Sequence, residues 1–148
     1  MKIRITKEFN FEAAHALHNY DGKCKNLHGH SYKLFVTVKG TPISDTKNPK
    51  LGMVMDFGDL KKIVNNLIIQ KFDHAVILNK NSINIQNFQP AEIFENRILT
   101  PYQPTCENML IDFATGLKLH LPTFVELVSL RLYETGSSYA EWYASDNE

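Results

Sequence analysis

Cysteine is scarce in this chain. Its 148 residues hold only Cys24 and Cys106, too few for a disulfide framework and consistent with free thiols in a reducing cytoplasm. Net charge is absent too. Sixteen Lys and Arg balance sixteen Asp and Glu, so bulk electrostatics favours neither nucleic acid nor an anionic membrane as a partner. No apolar run approaches the roughly 20 residues of a membrane-spanning helix. Met1-Lys2-Ile3-Arg4 opens directly into a strand pattern, without the features of a signal peptide. Internal repeats and low-complexity tracts are also missing. What remains is a single domain over 1–148: the length suffices for one sizeable core and is too short for two. The 43% apolar and 11% aromatic content suits such a domain.

Histidine is the residue that is patterned. Cys24-Lys25-Asn26-Leu27-His28-Gly29-His30 carries two of the six histidines and one of the two cysteines. In an extended segment His28 and His30 project to the same side, about 6.5 to 7 Å apart at the backbone. Two imidazoles at that spacing can converge on one metal ion. Upstream, Ile3, Ile5, Phe9, Phe11 and Ala13 alternate as the buried face of a strand, and His15 ends that row in phase. Downstream, Tyr32, Leu34, Val36 and Val38 continue the phase of His28 and His30. An antiparallel pairing of the two strands, turned near Asp21-Gly22, brings the three histidines together. Three polar residues at a strand-end rim are the alternative, but their common phase favours zinc. A three-histidine site leaves the fourth position open, the catalytic pattern and not the structural one.

After the second strand a polar loop runs from Gly40 to about Pro49. Met53-Val54-Met55 reads as a short extended segment, and Asp56 can cap a helix. Phe57, Leu60, Ile63, Val64, Leu67 and Ile68 recur at helical spacing and predict that helix over about 57–70. The segment 79–104 is rich in Asn, Gln and Pro, and reads as a long loop or insertion with a helical turn or two inside 91–99. Thr105 can cap a second helix with Glu107 in its first turn and an apolar stripe of Leu110, Phe113, Ala114 and Leu117. Phe124, Val128, Leu130 and Leu132 then share a strand face that Glu126 interrupts, and Glu134 ends it in phase. Thr135-Gly136-Ser137-Ser138 is a turn before a closing strand from Tyr139 to Tyr143. The order ββααββ predicts an α+β fold, an antiparallel sheet with both helices on one face. Its other face stays open and invites burial between subunits.

Other residues read in more than one way. Cys24 is a candidate base or nucleophile beside a cation, or an inert turn residue. Asp73 can orient His74 only on non-helical backbone, which the position past a helix end permits; the pair is otherwise commonplace. Glu134 is either a partnered carboxylate or a rim residue that reaches solvent.

Phe11-Glu12-Ala13-Ala14-His15, Cys24-x-x-x-His28-Gly29-His30, Met55-Asp56-Phe57-x-x-Leu60-Lys61, Phe72-Asp73-His74, Pro104-Thr105-x-Glu107-Asn108 and Tyr133-Glu134-Thr135 follow one another along the chain. In this set the chain resembles the 6-pyruvoyl-tetrahydropterin synthase and 6-carboxytetrahydropterin synthase family, over almost its whole length. The three-residue gap between Cys24 and His28 is similar to the carboxytetrahydropterin branch of queuosine biosynthesis; the pyruvoyl branch commonly has a longer gap. The resemblance implies a tunnelling fold whose trimers close a barrel, with two trimers stacking into a hexamer. It implies zinc on His15, His28 and His30, Cys24 as the proton-abstracting thiolate, and Asp73-His74 as a proton relay reaching Cys24 across a subunit interface. Glu134 would anchor the amino-pyrimidine edge of 7,8-dihydroneopterin triphosphate, with Thr105 and Glu107 near the pterin unless they serve only the helix terminus. The expected products are 6-carboxy-5,6,7,8-tetrahydropterin, acetaldehyde and triphosphate. A pyruvoyl-forming synthase and a non-catalytic pterin- or metal-binding protein are the alternatives. The segment 79–104 is longer than the family leads one to expect, and Lys23, Lys25 and Arg97 are among the candidates for the triphosphate.

Overall fold

Alternation along the first two strands decides the centre of the molecule. In the computed structural model, which describes residues 1–82 and 92–147, β1 (Ile3–His15) and β2 (His28–Gly40) pair antiparallel along their full length. Phe9, Phe11 and Ala13 of β1 and Tyr32, Leu34, Val36 and Val38 of β2 are buried on one face. Phe11 stacks on Tyr32 with ring centroids 5.0 Å apart. Burying a large apolar side chain is worth about 1.5–3 kcal/mol, so this face holds the hairpin in register. A slip of one residue would turn the whole row, histidines included, to solvent.

Helix α1 covers residues 57–72, with α-helical ends Phe57–Val64 and Gln70–Phe72 and a π turn at Asn65–Ile69. Asp56 starts it, its side chain accepting from the Gly58 N–H at 2.7 Å. Leu60, Val64, Ile68 and Phe72 are all buried and lie four residues apart. In a regular α-helix each four-residue step overshoots a full turn by about 40°. The wider π turn absorbs that drift and keeps all four on the core. Helix α2 (Cys106–His120) packs beside it, with Phe113 edge-on to Phe72 at 4.9 Å. Among the described residues no helix is long and apolar enough to cross a membrane.

Two further strands enlarge the expected sheet. β3 (Ala75–Asn79) runs parallel to β1 over Ala13–His15, and β4 (Arg97–Thr100) runs parallel to β3. With β5 (Val125–Tyr133) and β6 (Tyr139–Tyr143) the order is β4-β3-β1-β2-β5-β6. The four-stranded part β1-β2-β5-β6 is antiparallel as expected, and the whole sheet is mixed. The reading of 79–104 as a loop is therefore corrected at 97–100. A four-residue strand is too short to display a period, and its partner lies outside its sequence neighbourhood. Glu92–Phe94 forms a 3-10 turn where helical turns were expected; residues 83–91 of that segment lie outside the described residues.

The reading of β5 is corrected too. Val125, Leu127, Leu130 and Leu132 are buried, whereas Phe124 is 60% exposed. The pairing with β2 shifts between Thr37↔Ser129 and Val38↔Leu127, so Val128 is an extra residue. Such a bulge reverses the phase of one strand against its partner. It explains why Glu126 interrupts the row: before the bulge the even positions face outward.

Candidate metal centre and adjoining cavity

His15 stands opposite His28 in the β1–β2 ladder, and Ala13 stands opposite His30. The three rings form a triangle with centroid separations of 4.6, 5.1 and 4.9 Å. One ring nitrogen from each lies within 4.8 Å of the others. His15 is fully in the core at 1% exposure.

Backbone carbonyls set the orientation of two of these rings. His15 Nδ1 lies 2.7 Å from the Pro104 carbonyl oxygen, and His28 Nδ1 lies 2.7 Å from that of Asn26. A carbonyl only accepts, so both Nδ1 atoms carry the proton and donate it. In the neutral rings both Nε2 atoms are then bare lone pairs, and they face each other at 3.0 Å. His30 Nε2 is buried without a hydrogen-bond partner, 3.4 Å from Glu134 Oε1. Two opposed lone pairs and a nearby carboxylate are acceptors that a cation satisfies, and the unpartnered His30 nitrogen lies beside them. Donation of Nδ1–H to a carbonyl while Nε2 points at the metal is the usual arrangement of ligating histidines.

The charge state agrees with this. Burial holds the His15 imidazole below its ordinary range, opposed by its bond to Pro104 and by Glu134. Burial likewise lowers His30, again against Glu134. Both are neutral near pH 7, the form that binds metal. The donor set, three imidazoles in a triangle, fits a divalent transition metal such as zinc.

Beside the cluster lies a cavity of about 290 Å³ lined by His15, Tyr20, Cys24, Thr105, Glu107 and Glu134, among others. Four residues singled out for separate reasons, Cys24, Thr105, Glu107 and Glu134, thus share one cavity with a histidine of the cluster. Cys24 is half-buried on a 3-10 turn (Lys23–Lys25), and its carbonyl accepts from the Leu17 N–H at 3.0 Å. Thr105 caps α2, accepting from the Asn108 N–H at 3.3 Å, so its helix role is realised while it also lines the cavity. Glu107 is exposed in the first turn of that helix. A larger cavity of about 550 Å³ lies beyond Leu17 and Tyr20, which line both. We place the chemistry in the smaller one, because the larger touches neither the imidazole triangle nor Cys24.

Asp73 and His74 do not reach this cavity in the single chain. His74 lines a separate depression with Glu12, Gly29, His30 and Ser31, and Asp73 precedes it in the chain. The dyad itself is formed: Asp73 Oδ2 lies 3.1 Å from His74 Nδ1. Adjacent residues meet because His74 has φ +58°, a left-handed conformation uncommon outside glycine. Asp73 Oδ1 accepts from the Glu12 N–H at 2.9 Å, and the His74 N–H donates to the Glu12 carbonyl at 2.6 Å. The Glu12 bond and then His74 hold the Asp73 carboxyl below the usual carboxylate range.

Some contributors left no mark that sequence reasoning used. The carbonyls of Pro104 and Asn26 act through the backbone, which every residue type shares. Cys106 also lines the cavity, its thiol donating to the Leu132 carbonyl at 3.1 Å and pushed up to about 12 by burial. Its place between Thr105 and Glu107 was the available signal.

A family model described as 6-pyruvoyl tetrahydropterin synthase matches residues 4–145. A protein of Haemophilus influenzae named 6-carboxy-5,6,7,8-tetrahydropterin synthase is 36% identical over 144 residues, covering 95% of this chain and 98% of its own. One of the same name from Rickettsia typhi is 34% identical, covering 94% and 99%. Among solved structures, an uncharacterised protein of Wolinella succinogenes superposes with TM-score 0.82 at 20% identity, covering 97% and 99% of the two chains. The 6-pyruvoyl tetrahydropterin synthase of Caenorhabditis elegans superposes with TM-score 0.66 at 26% identity, covering 97% and 96%.

Proposed function

The chain belongs to the 6-pyruvoyl tetrahydropterin synthase family and has its tunnelling fold, and from that premise we propose that it is a zinc-dependent 6-carboxy-5,6,7,8-tetrahydropterin synthase. It converts 7,8-dihydroneopterin triphosphate and one water into 6-carboxytetrahydropterin, acetaldehyde and triphosphate, a lyase-type reaction of queuosine biosynthesis. The observation that carries the metal part is the opposed, bare Nε2 atoms of His15 and His28 at 3.0 Å. Support for the carboxy product comes from relatives of that name that align over almost the whole chain.

His15, His28 and His30 would hold the zinc. Bound there, it supplies a Lewis acid that polarises an oxygen of the substrate side chain. Glu134 accepts N–H bonds from the amino-pyrimidine edge of the pterin, which a carboxylate can do in pairs. Thr105 and Glu107 border that end of the cavity. Cys24, as thiolate, takes a proton from the substrate side chain; this role needs a thiol that is near the cation and free of it. Asp73 orients His74, and His74 of a neighbouring subunit relays the proton to and from Cys24. The exposure of His74, 79% in the single chain, suits a group that acts on a neighbour.

Mass spectrometry of the products from zinc-loaded protein and 7,8-dihydroneopterin triphosphate tests the reading. Carboxytetrahydropterin with acetaldehyde is expected; a pyruvoyl product would move the chain to the other branch, and no turnover would leave a binding protein. In parallel, a His28→Ala, His30→Ala double variant should lose its zinc by elemental analysis, and full occupancy would refute the ligand set.

A further inference from the structure

Pro104 orients the most buried histidine of the cluster through its carbonyl, and a proline has no N–H by which its own position can be held. The neighbouring residue supplies that hold. Gln103 Nε2 donates to the His18 carbonyl at 2.8 Å, and Gln103 Oε1 accepts from the His18 N–H at 3.1 Å. A side-chain amide thus pairs with a backbone residue at two points, as a strand would. From the other side, the Gln103 carbonyl accepts from the Thr105 N–H at 2.7 Å and from Asn108 Nδ2 at 2.9 Å, both at the start of α2.

The far end of the clamp matters as much. His18 follows Leu17, whose N–H donates to the Cys24 carbonyl at 3.0 Å. One residue therefore ties together three parts of the centre: its backbone leads into the Pro104 carbonyl that orients His15 and holds the first turn of α2, and its side chain holds the loop that carries Cys24. We propose that Gln103 is a positioning residue for the metal centre, fixing the Pro104 carbonyl against His15 and the Cys24 loop against both. The inference rests on the metal reading above. It differs from that reading in placing part of the metal affinity on a residue that touches neither metal nor substrate.

Without the clamp, the Pro104 carbonyl can move relative to His15, and the ring loses the partner that fixes its tautomer. Groups that orient ligating histidines typically change metal affinity by about ten- to a hundredfold. Gln103 acts one step further out, and the expectation is the lower end.

The test uses full-length protein with zinc or cobalt(II) alone. Gln103→Met removes both hydrogen-bonding ends at similar length. Gln103→Glu keeps the acceptor for the His18 N–H and sets a carboxylate against the His18 carbonyl, so it gives the answer if the Met variant does not fold. Asp56→Ala, at the cap of α1, serves as a control for general destabilisation. In chelator competition the Gln103 variants should bind zinc about tenfold more weakly. Their cobalt(II) d–d absorption should be altered, and Cys24 should be alkylated faster by iodoacetamide. Asp56→Ala should lose thermal stability while keeping zinc affinity and the cobalt spectrum. Wild-type zinc affinity and cobalt spectrum in both Gln103 variants would overturn the inference and leave the metal reading standing, as would an equal zinc loss in Asp56→Ala. If wild-type protein binds neither metal at its histidines, the metal reading falls and the inference with it.

Discussion

Cys24 shares a cavity with His15 but lies outside the cluster formed by the three imidazoles, and the roles of fourth ligand and free base separate on mutation. As a base, Cys24→Ala should keep zinc occupancy and thermal midpoint while turnover falls by roughly two to four orders of magnitude. As a ligand, its loss should weaken zinc binding and stability together. We expect the first; elemental analysis beside steady-state kinetics decides it, and a zinc affinity that collapses with the thiol would refute the base. The histidines themselves make the metal-free protein pH-sensitive. Burial lowers His15 and His30 in the folded chain, whereas unfolded imidazoles titrate near about 6.5. Below that pH the unfolded chain takes up protons that the folded one refuses. The stability the neutral rings permit is thus fully present above about 6.5 and declines as pH falls toward the folded values. The thermal midpoint of metal-free protein should drop between pH 7.5 and 5.5, and drop less in His15→Gln. An unchanged or rising wild-type midpoint would contradict the depressed values.

At the scale of elements, the junction between α1 and β3 carries a strained residue. His74 sits at φ +58°, held by two hydrogen bonds to Glu12 on either side of the Asp73–His74 peptide and by Asn96 Nδ2 donating to the Asp73 carbonyl at 3.1 Å. A left-handed non-glycine residue costs about 1–2 kcal/mol, and Asn tolerates that conformation better. His74→Asn should therefore leave stability unchanged or raise it by up to about 1 kcal/mol while turnover falls at least a hundredfold. Urea denaturation and steady-state kinetics read the two effects. A destabilised variant with normal turnover would make the junction structural and remove His74 from the proposed relay. The existence of this dyad was legible in the adjacency of Asp73 and His74 at a helix end. The backbone conformation that lets them meet was not, because it depends on bonds to β1, sixty residues away in the chain (Asp73 to Glu12 is a separation of 61).

For the molecule as a whole, the sheet face away from the helices is less in need of cover than the sequence suggested. It carries Glu8 and Lys33 3.5 Å apart, Arg131 and Glu141 2.7 Å apart, and a Thr6–Thr37 hydrogen bond of 2.8 Å. Such a face tolerates water. The reason to associate lies at the edges. β1 pairs with β3 only over Ala13–His15, and β6 has β5 alone as a neighbour among the described residues. Open edges of this kind favour pairing with another copy, and Ile3, Met53 and Phe57 expose apolar surface near that of β1. We expect a homo-oligomer built on trimers, single or stacked into a hexamer, whose closure brings His74 of one subunit to Cys24 of the next. Sedimentation with activity measured across a dilution series checks it. A stable monomer with full activity per chain would exclude both the assembly and the shared site.

Side-chain chemistry with a short period was written in the sequence. The alternation that ends in His15, and the matching one that starts at His28 and His30, determined the hairpin, its register and the histidine triangle together, because burial of one face leaves only one pairing. Asp56 and Thr105 marked the helix starts for an equally local reason: a side-chain oxygen caps N–H groups two or three residues on. Tertiary structure alone decided what depends on distant partners or on the backbone. β4 exists because β3 offers it an edge, and the phase of β5 changes at Val128 because β2 opposes it with one residue fewer. The tautomers of His15 and His28 are set by the carbonyls of Pro104 and Asn26, groups that every residue carries and that only the fold can aim.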